Sequence, residues 1–382
     1  MDIPGLQFLL ERYVRHAAAR DPVLALDREG VRAARRVLVA VTTGMGDLIL
    51  ASPVIESLRA ALPDAAVGLF CRAAWAPLFG HDSRVDAVID YHGKSRRFFS
   101  TVAALRNFGP DLVVAPHIND PDVLPLLYLS GARQIVRVPW GTTRFPELLS
   151  NRGDPALQDS IRGLHVVDER LRVIEALGLP VISRTPRVIT APQAEKLHAH
   201  AMAMTGSAHY AVLHVFSADV YRTVPAELAR DCLRALSAEY PGLGWVLTGS
   251  AADRSALEKI TSGCGEKIWL AAGELSIDAT AACLSRACAV ISPDTGTLHL
   301  AAALDRPVLA LFSPTREAET RAQVVGPRTL KAPSQVLEVP SVCDPCVGRR
   351  CSYRPVKCLQ AFQVKDVVSA FAQIIEPGLF RK

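Results

Sequence analysis

The chain has 382 residues, about half of them hydrophobic, enough for two domains of ordinary size. A net charge of +5 without any lysine-rich run excludes a protein that tracks nucleic acid, while anionic small molecules or an anionic membrane surface remain compatible. No segment reaches the roughly 18 uninterrupted apolar residues of a spanning helix. The opening MDIPGLQFLLERYVRHAAARD lacks the basic leader and cleavage site of an export signal, so a cytoplasmic location is expected.

Residues 1–30 read as an N-terminal extension containing an amphipathic helix, with Leu6, Leu9, Leu10, Tyr13 and Val14 on one side. We expect it to dock on the neighbouring domain, because it lacks the dense basic face of a membrane-surface helix. Residues 37–42 (VLVAVT) read as a buried strand running into Gly44-Met45-Gly46-Asp47 and then a helix over about 48–61. Strands follow at 67–71, 87–90, 112–115 and 134–138, with helices at about 121–130 and 166–177. Alternation of this kind builds a doubly wound parallel sheet. The polar, Gly- and Pro-broken stretch 141–162 reads as a surface loop. A Pro-punctuated segment up to about 192 marks the linker. A second α/β domain begins with a strand at 210–216. Helices at about 226–239 and 278–286 flank a strand at 245–249.

The chain is organised around residues 289–315, AVISPDTGTLHLAAALDRPVLALFSPT. An apolar strand, a turn at Pro293-Asp294-Thr295-Gly296, a helix carrying His299 and a second strand at 308–312 make a βαβ unit. Ligands of such sheets bind beyond the carboxyl ends of the strands. The turn also opens a helix, whose N–H groups and dipole attract phosphate. Thr295 can cap that helix, Gly296 admits close approach, and Asp294 can bind sugar hydroxyls.

Four further features carry chemistry. Asp47 projects a carboxylate from a strand's carboxyl end, where it can take a proton from a hydroxyl or simply cap a helix. Lys94, Arg96 and Arg97 form a small basic cluster that can meet acceptor phosphates. Asp120-Pro121-Asp122 is a D-x-D triplet that reads mostly as structural, with His117 and Asn119 nearby as acceptor contacts. Cys343, Cys346, Cys351 and Cys358 have the compact spacing of a four-thiolate site for structural zinc or iron, although disulfides and free thiols stay open. Cys71, Cys232, Cys264, Cys283 and Cys288 read as core.

DTGTLHLAAALDRPVLALFSPT resembles the D-[ST]-G-x-x-H-x-x-A-A-x-x-x-P-x-x-x-L-F-x-x-T signature of glycosyltransferase family 9, the bacterial heptosyltransferases. TGMGDLILASPVI is similar to that family's first-strand motif, whose aspartate is the proposed general base. HVFSADVYRTVP matches the segment ending in K-x-W-P, with Arg222 in place of lysine and Val224 in place of tryptophan. Arginine still grips a diphosphate, but with different geometry. CDPCVGRRCSYRPVKCL resembles a four-cysteine segment seen before the last helix of such proteins. TGSAAD resembles a turn near the nucleoside, in which Asp253 reaches the ribose or is a solvated turn.

The resemblance implies a GT-B fold, two Rossmann-like doubly wound parallel-sheet lobes facing across a cleft. An acceptor-binding lobe would span 31–190 and a nucleotide-sugar lobe 191–360. A C-terminal helix within 361–382 would pack back towards the first lobe. It implies an inverting transfer of heptose from ADP-L-glycero-D-manno-heptose to a glycan or lipid-linked acceptor, most simply a lipopolysaccharide core sugar, with peripheral contact at the inner membrane surface. Asp47 is the implied base. Ser217, Arg222, Asp294, Thr295, Gly296 and His299 are the implied donor contacts, and Gly46, Lys94 and Arg97 the acceptor contacts. No cofactor is implied for catalysis. Two alternatives stay open: a GT-B transferase or epimerase using another nucleotide-sugar, and a non-catalytic nucleotide-sugar binder.

Overall fold

The structure, a computed structural model, describes residues 6–94, 96–138, 144–152, 163–190, 193–314, 326–343, 346, 351–353 and 356–375. They belong to two compact units, Met1–Pro186 and Arg187–Lys382.

The first unit is built on β1 (Arg36–Val41), β2 (Ala66–Arg72), β3 (Ala87–Tyr91), β4 (Leu112–His117) and β5 (Gln134–Arg137). The strand order is β3-β2-β1-β4-β5, and every pair is parallel. From β1 the chain steps outward to β2 and β3, then crosses back to β4. The order therefore reverses between β1 and β4, where doubly wound sheets leave a crevice for ligands. Val37 to Val41 are all buried, as expected of a strand covered on both faces.

Its helices are α1 (Leu6–Arg20), α2 (Arg28–Arg32), α3 (Met45–Leu50), α4 (Ser52–Ala61), α5 (Phe98–Phe108), α6 (Val123–Leu129) and α7 (Val166–Ala176). The expected single helix over 48–61 is two helices that begin earlier, at Met45, and break at Ala51. Pro53 is the reason. Its ring would clash with a carbonyl one turn back, and it is accommodated only in the first turn of a new helix. α1 docks as expected, but on a different face. Leu10, Val14 and Ala18, spaced four apart, join the core around Leu126 and Phe145, whereas Leu9 and Tyr13 point outward.

Among the described residues the second unit has six strands: β6 (Tyr210–His214), β7 (Gly244–Thr248), β8 (Ile268–Leu270), β9 (Val290–Pro293), β10 (Val308–Phe312) and β11 (Ser334–Glu338). All pairs are parallel in the order β11-β10-β9-β6-β7-β8. Here the reversal falls between β6 and β9. The helices are α8 (Ala194–Thr205), α9 (Ala226–Glu239), α10 (Arg254–Thr261), α11 (Ile277–Leu284), α12 (Gly296–Ala303) and α13 (Val364–Ile374). α13 packs on this unit's own sheet. Val367, Phe371 and Ile374 enter the core of β7 and β10, with the Phe371 ring 5.6 Å from that of Trp245 and 5.3 Å from that of Tyr240. Burying such a ring contributes roughly 1.5–3 kcal/mol. Most of the expected 141–162 loop, and residues 376–382 of the expected C-terminal segment, lie outside the described residues.

Candidate active site

The crevice of the first unit is lined by the segments after β1 and β4. Gly44 precedes α3, and its N–H donates to Asp47 Oδ2 over 3.1 Å. Asp47 is thus fixed one turn inside the helix, with its carboxylate at the positive helix end. A Cβ on Gly44 would stand 3.3 Å from Asp47 Oδ2, a tight contact that would push the carboxylate by a few tenths of an ångström. Arg170, from α7, donates to Asp47 Oδ1 over 2.7 Å. His117, the last residue of β4, brings Nε2 to 3.7 Å from the same oxygen.

Electrostatics follow from this packing. Burial alone would raise the Asp47 pKa, but the charge of Arg170, His117 and the Gly44 amide outweigh it and hold the carboxyl below its ordinary value. His117 is pushed down to about 4, first by burial and then by the Arg170 charge, against the pull of Asp47. At neutral pH the site therefore holds an ionised carboxylate, a neutral imidazole and a buried guanidinium. Arg170 is 3% exposed, and its Nε and Nη1 have no hydrogen-bond partner among the described residues.

Sequence motifs do not single out Arg170, although a signal exists. In VVDERLRVI it shares a helical stripe with Val167, Leu171 and Ile174, all buried. A cation on an apolar stripe needs a buried partner.

Of the predicted acceptor contacts, Gly46 lies within α3 beside Asp47. Lys94 and Arg97 are exposed in the turn after β3, with left-handed φ of 46° and 52°. The D-x-D triplet is structural: Asp120 accepts from Arg72 at 2.7 Å, and Asp122 from the Tyr91 hydroxyl at 2.7 Å.

In the second unit the crevice is formed by the segments after β6 and β9. Asp294 is 2% exposed at the end of β9. Arg222, in a tight turn over Val220–Arg222, donates through Nη1 to Asp294 Oδ2 at 2.9 Å and to its carbonyl at 3.1 Å. Its other arm pairs with Asp219. His299 Nε2 lies 3.6 Å from Asp294 Oδ1. Desolvation works against the Arg222 charge, but Asp294 and then Asp219 more than restore it and raise its pKa. The structure thus gathers Arg222, Asp294 and His299 at one helix tip.

Thr295 stands at the N-cap position of α12 but makes no side-chain cap hydrogen bond, contrary to the expected capping role. Thr295 and Gly296 are half-buried at the head of the helix, where first-turn amides have no preceding carbonyls. Ser217 accepts through Oγ from the Asp219 amide at 3.3 Å. Val224 is buried in the core. Asp253 is occupied as a cap, accepting from the Ser250 amide at 2.8 Å and hydroxyl at 2.7 Å.

The structure gives no support to a structural zinc or iron at Cys343, Cys346, Cys351 and Cys358. Among the described residues no group of three or more His, Cys, Asp or Glu is placed to hold a metal ion. Cys358 is drawn into the apolar core beside Leu359 and accepts the Val342 amide at 3.3 Å, while Cys346 lies 4.0 Å from the Pro314 carbonyl. No disulfide links any of the nine cysteines. Cys71, Cys232, Cys264 and Cys283 are buried as expected, and Cys288 is half-buried. Burial pushes Cys71 and Cys232 up to about 12 and Cys283 to about 11.

A family model described as glycosyltransferase family 9 (heptosyltransferase) matches residues 161–357. A lipopolysaccharide heptosyltransferase 3 of Escherichia coli is 25% identical over 287 residues, 71% of this chain and 80% of that protein. A lipopolysaccharide heptosyltransferase 1 of Pseudomonas aeruginosa is 38% identical over 133 residues, 34% of this chain and 33% of that protein. Among solved structures, a glycosyl transferase family 9 protein from Veillonella parvula superposes with a TM-score of 0.69 at 18% identity, covering 89% of this chain and 97% of that one. The E. coli heptosyltransferase WaaC with ADP gives 0.65 at 19%, covering 87% and 98%.

Proposed function

The chain belongs to glycosyltransferase family 9, the heptosyltransferases, with a GT-B fold, and from that membership we propose that it moves heptose from ADP-L-glycero-D-manno-heptose to a hydroxyl of a lipid-linked core sugar at the cytoplasmic face of the inner membrane. The observation that carries the reading is the ionised Asp47 carboxylate at the β1–β4 crevice, held by Arg170. The relatives named for heptose transfer and the WaaC complex with ADP support the donor.

In this reading the reaction is an inverting displacement. Asp47 takes the acceptor hydroxyl proton as that oxygen bonds to the anomeric carbon. The bond from that carbon to the diphosphate oxygen breaks, and ADP leaves with the electron pair. Arg222, the Ser217 hydroxyl and the α12 amides at Thr295 and Gly296 meet the negative charge growing on the diphosphate. Asp294 and His299 position Arg222 and the donor sugar. Gly46, Lys94 and Arg97 contact the acceptor and its phosphates.

The test is titration of the full chain with ADP-, UDP- and GDP-sugars, followed by a transfer assay on Asp47→Ala. We expect thermal stabilisation by the ADP-sugar alone. The variant should still bind it but transfer at least about 100-fold more slowly, the scale of losing a general base. Response only to a UDP- or GDP-sugar would replace the donor, and undiminished turnover in the variant would remove Asp47 as base.

A further inference from the structure

Helix α1 has a second face that the core does not use. Opposite Leu10, Val14 and Ala18 it presents Phe8 (62% exposed), Leu9 (63%) and Tyr13 (60%) to solvent, interleaved with Arg12, His16 and Arg20. Large apolar side chains grouped this way on a surface mark a contact with something apolar. The helix alone has too few cations for a membrane-surface helix, but the fold supplies more. A groove of about 750 Å³ opens along it, lined by Tyr13, His16, Arg20, Arg106, Tyr128 and Arg133. Leu24, 54% exposed, lines the same groove.

Charge is lopsided there: three arginines face a single carboxylate, Asp21. Neither Arg20 nor Arg133 has a carboxylate partner among the described residues. Among the described residues Arg106 spends only Nε, on the Leu129 carbonyl at 2.8 Å, and the Tyr128 hydroxyl donates to the Asp21 carbonyl at 3.0 Å, which fixes the groove wall. Guanidinium groups match phosphate oxygens in pairs.

We propose that this face of α1 rests on an anionic phospholipid surface, with a headgroup phosphate in the groove between Arg20, Arg106 and Arg133 and with Phe8, Leu9, Tyr13 and Leu24 entering the interfacial layer. Apolar insertion combined with basic side chains is the combination that holds a helix in the plane of a membrane interface. The surface draws on the lipid-linked acceptor of the proposed reaction for its purpose only. It uses neither the donor nor Asp47, so its failure leaves the transfer chemistry standing, and the reverse also holds.

The experiment is co-sedimentation of the full chain with phosphatidylcholine vesicles, with and without phosphatidylglycerol, at low and high salt. We expect binding that needs phosphatidylglycerol and weakens with salt. Each cation at such a surface contributes roughly a fivefold gain in partitioning, so Arg20→Glu with Arg133→Glu should weaken binding by well over about tenfold. Phe8→Ala with Leu9→Ala should weaken it at both salt concentrations. All four side chains are exposed, and an unchanged melting temperature confirms that the variants fold. Equal binding to neutral vesicles, or no loss in the Arg20→Glu, Arg133→Glu variant, overturns the proposal. So does saturable binding of inorganic phosphate to a chain that ignores the vesicles.

Discussion

Arg170 and Asp47 lie 123 positions apart in sequence, yet the guanidinium donates to the carboxylate over 2.7 Å. The pair has two opposing effects on a general base. It keeps Asp47 ionised well into acid, and it lowers the basicity of the group that must accept the proton. Arg170→Gln should therefore move the acid limb of the kcat/KM profile to higher pH, since removing a close opposite charge raises a carboxyl. Arg170→Lys, which keeps the charge without the fork, should fall between the two. Superimposable profiles for all three proteins would show that the pair is purely structural.

His117 makes stability depend on pH in a defined window. Its folded pKa of about 4 lies below the ordinary 6.5, so between those values the unfolded chain takes up a proton that the folded chain refuses. Stability is unaffected above about 6.5 and declines as pH falls towards about 4, by about 3 kcal/mol in all. Asp47, lowered from 3.8, adds its own loss only below that window. Urea unfolding of wild type and His117→Asn at pH 7 and pH 5 should show a smaller acid loss in the variant. Equal losses would contradict the assignment.

The Arg222–Asp294 pair offers a different test. Asp294 is almost fully buried, so Arg222→Ala should cost about 3–5 kcal/mol by leaving the carboxylate uncompensated. Asp294→Asn in the Arg222→Ala background should return part of that loss. Additive effects in the double-mutant cycle would mean that the two side chains act independently. Arg222→Lys should retain more of the stability than Arg222→Ala and still bind ADP more weakly, because a point charge cannot form the fork.

Phe371→Ala should destabilise the second unit by about 3–5 kcal/mol, because the ring is fully buried against Trp245 and Tyr240. Differential scanning calorimetry should show the transition of Arg187–Lys382 lowered. A loss below about 1 kcal/mol would mean that α13 contributes little to that core.

Most strands are readable in the sequence because runs such as VLVAV and VLALF are short and wholly apolar, whereas β8 (IWL) is only three residues long and β11 (SQVLE) mixes polar with apolar residues, and neither is legible. The helices are less so. α8 reads AEKLHAHAMAMT, in which only Ala194, Ala201 and Thr205 are buried, so it lacks a clear apolar stripe. Asp47, Arg222 and Asp294 stand out because each lies in a short motif at a strand end. Arg170 does not, since its partner Asp47 lies 123 positions away and is supplied by tertiary packing, whereas Asp219 sits three residues before Arg222 but in no motif of its own. The cysteine spacing leaves metal, disulfides and free thiols open for a related reason. Linear proximity cannot reveal that Cys358 is claimed by the core.

The guanidinium that governs Asp47 arrives on α7, shortly before the division at Pro186. A hybrid enzyme joined upstream of His165 would inherit its carboxylate from one parent and the counter-charge from another. Junctions after Pro186 keep the couple intact, and they are where exchange of halves between relatives should preserve turnover.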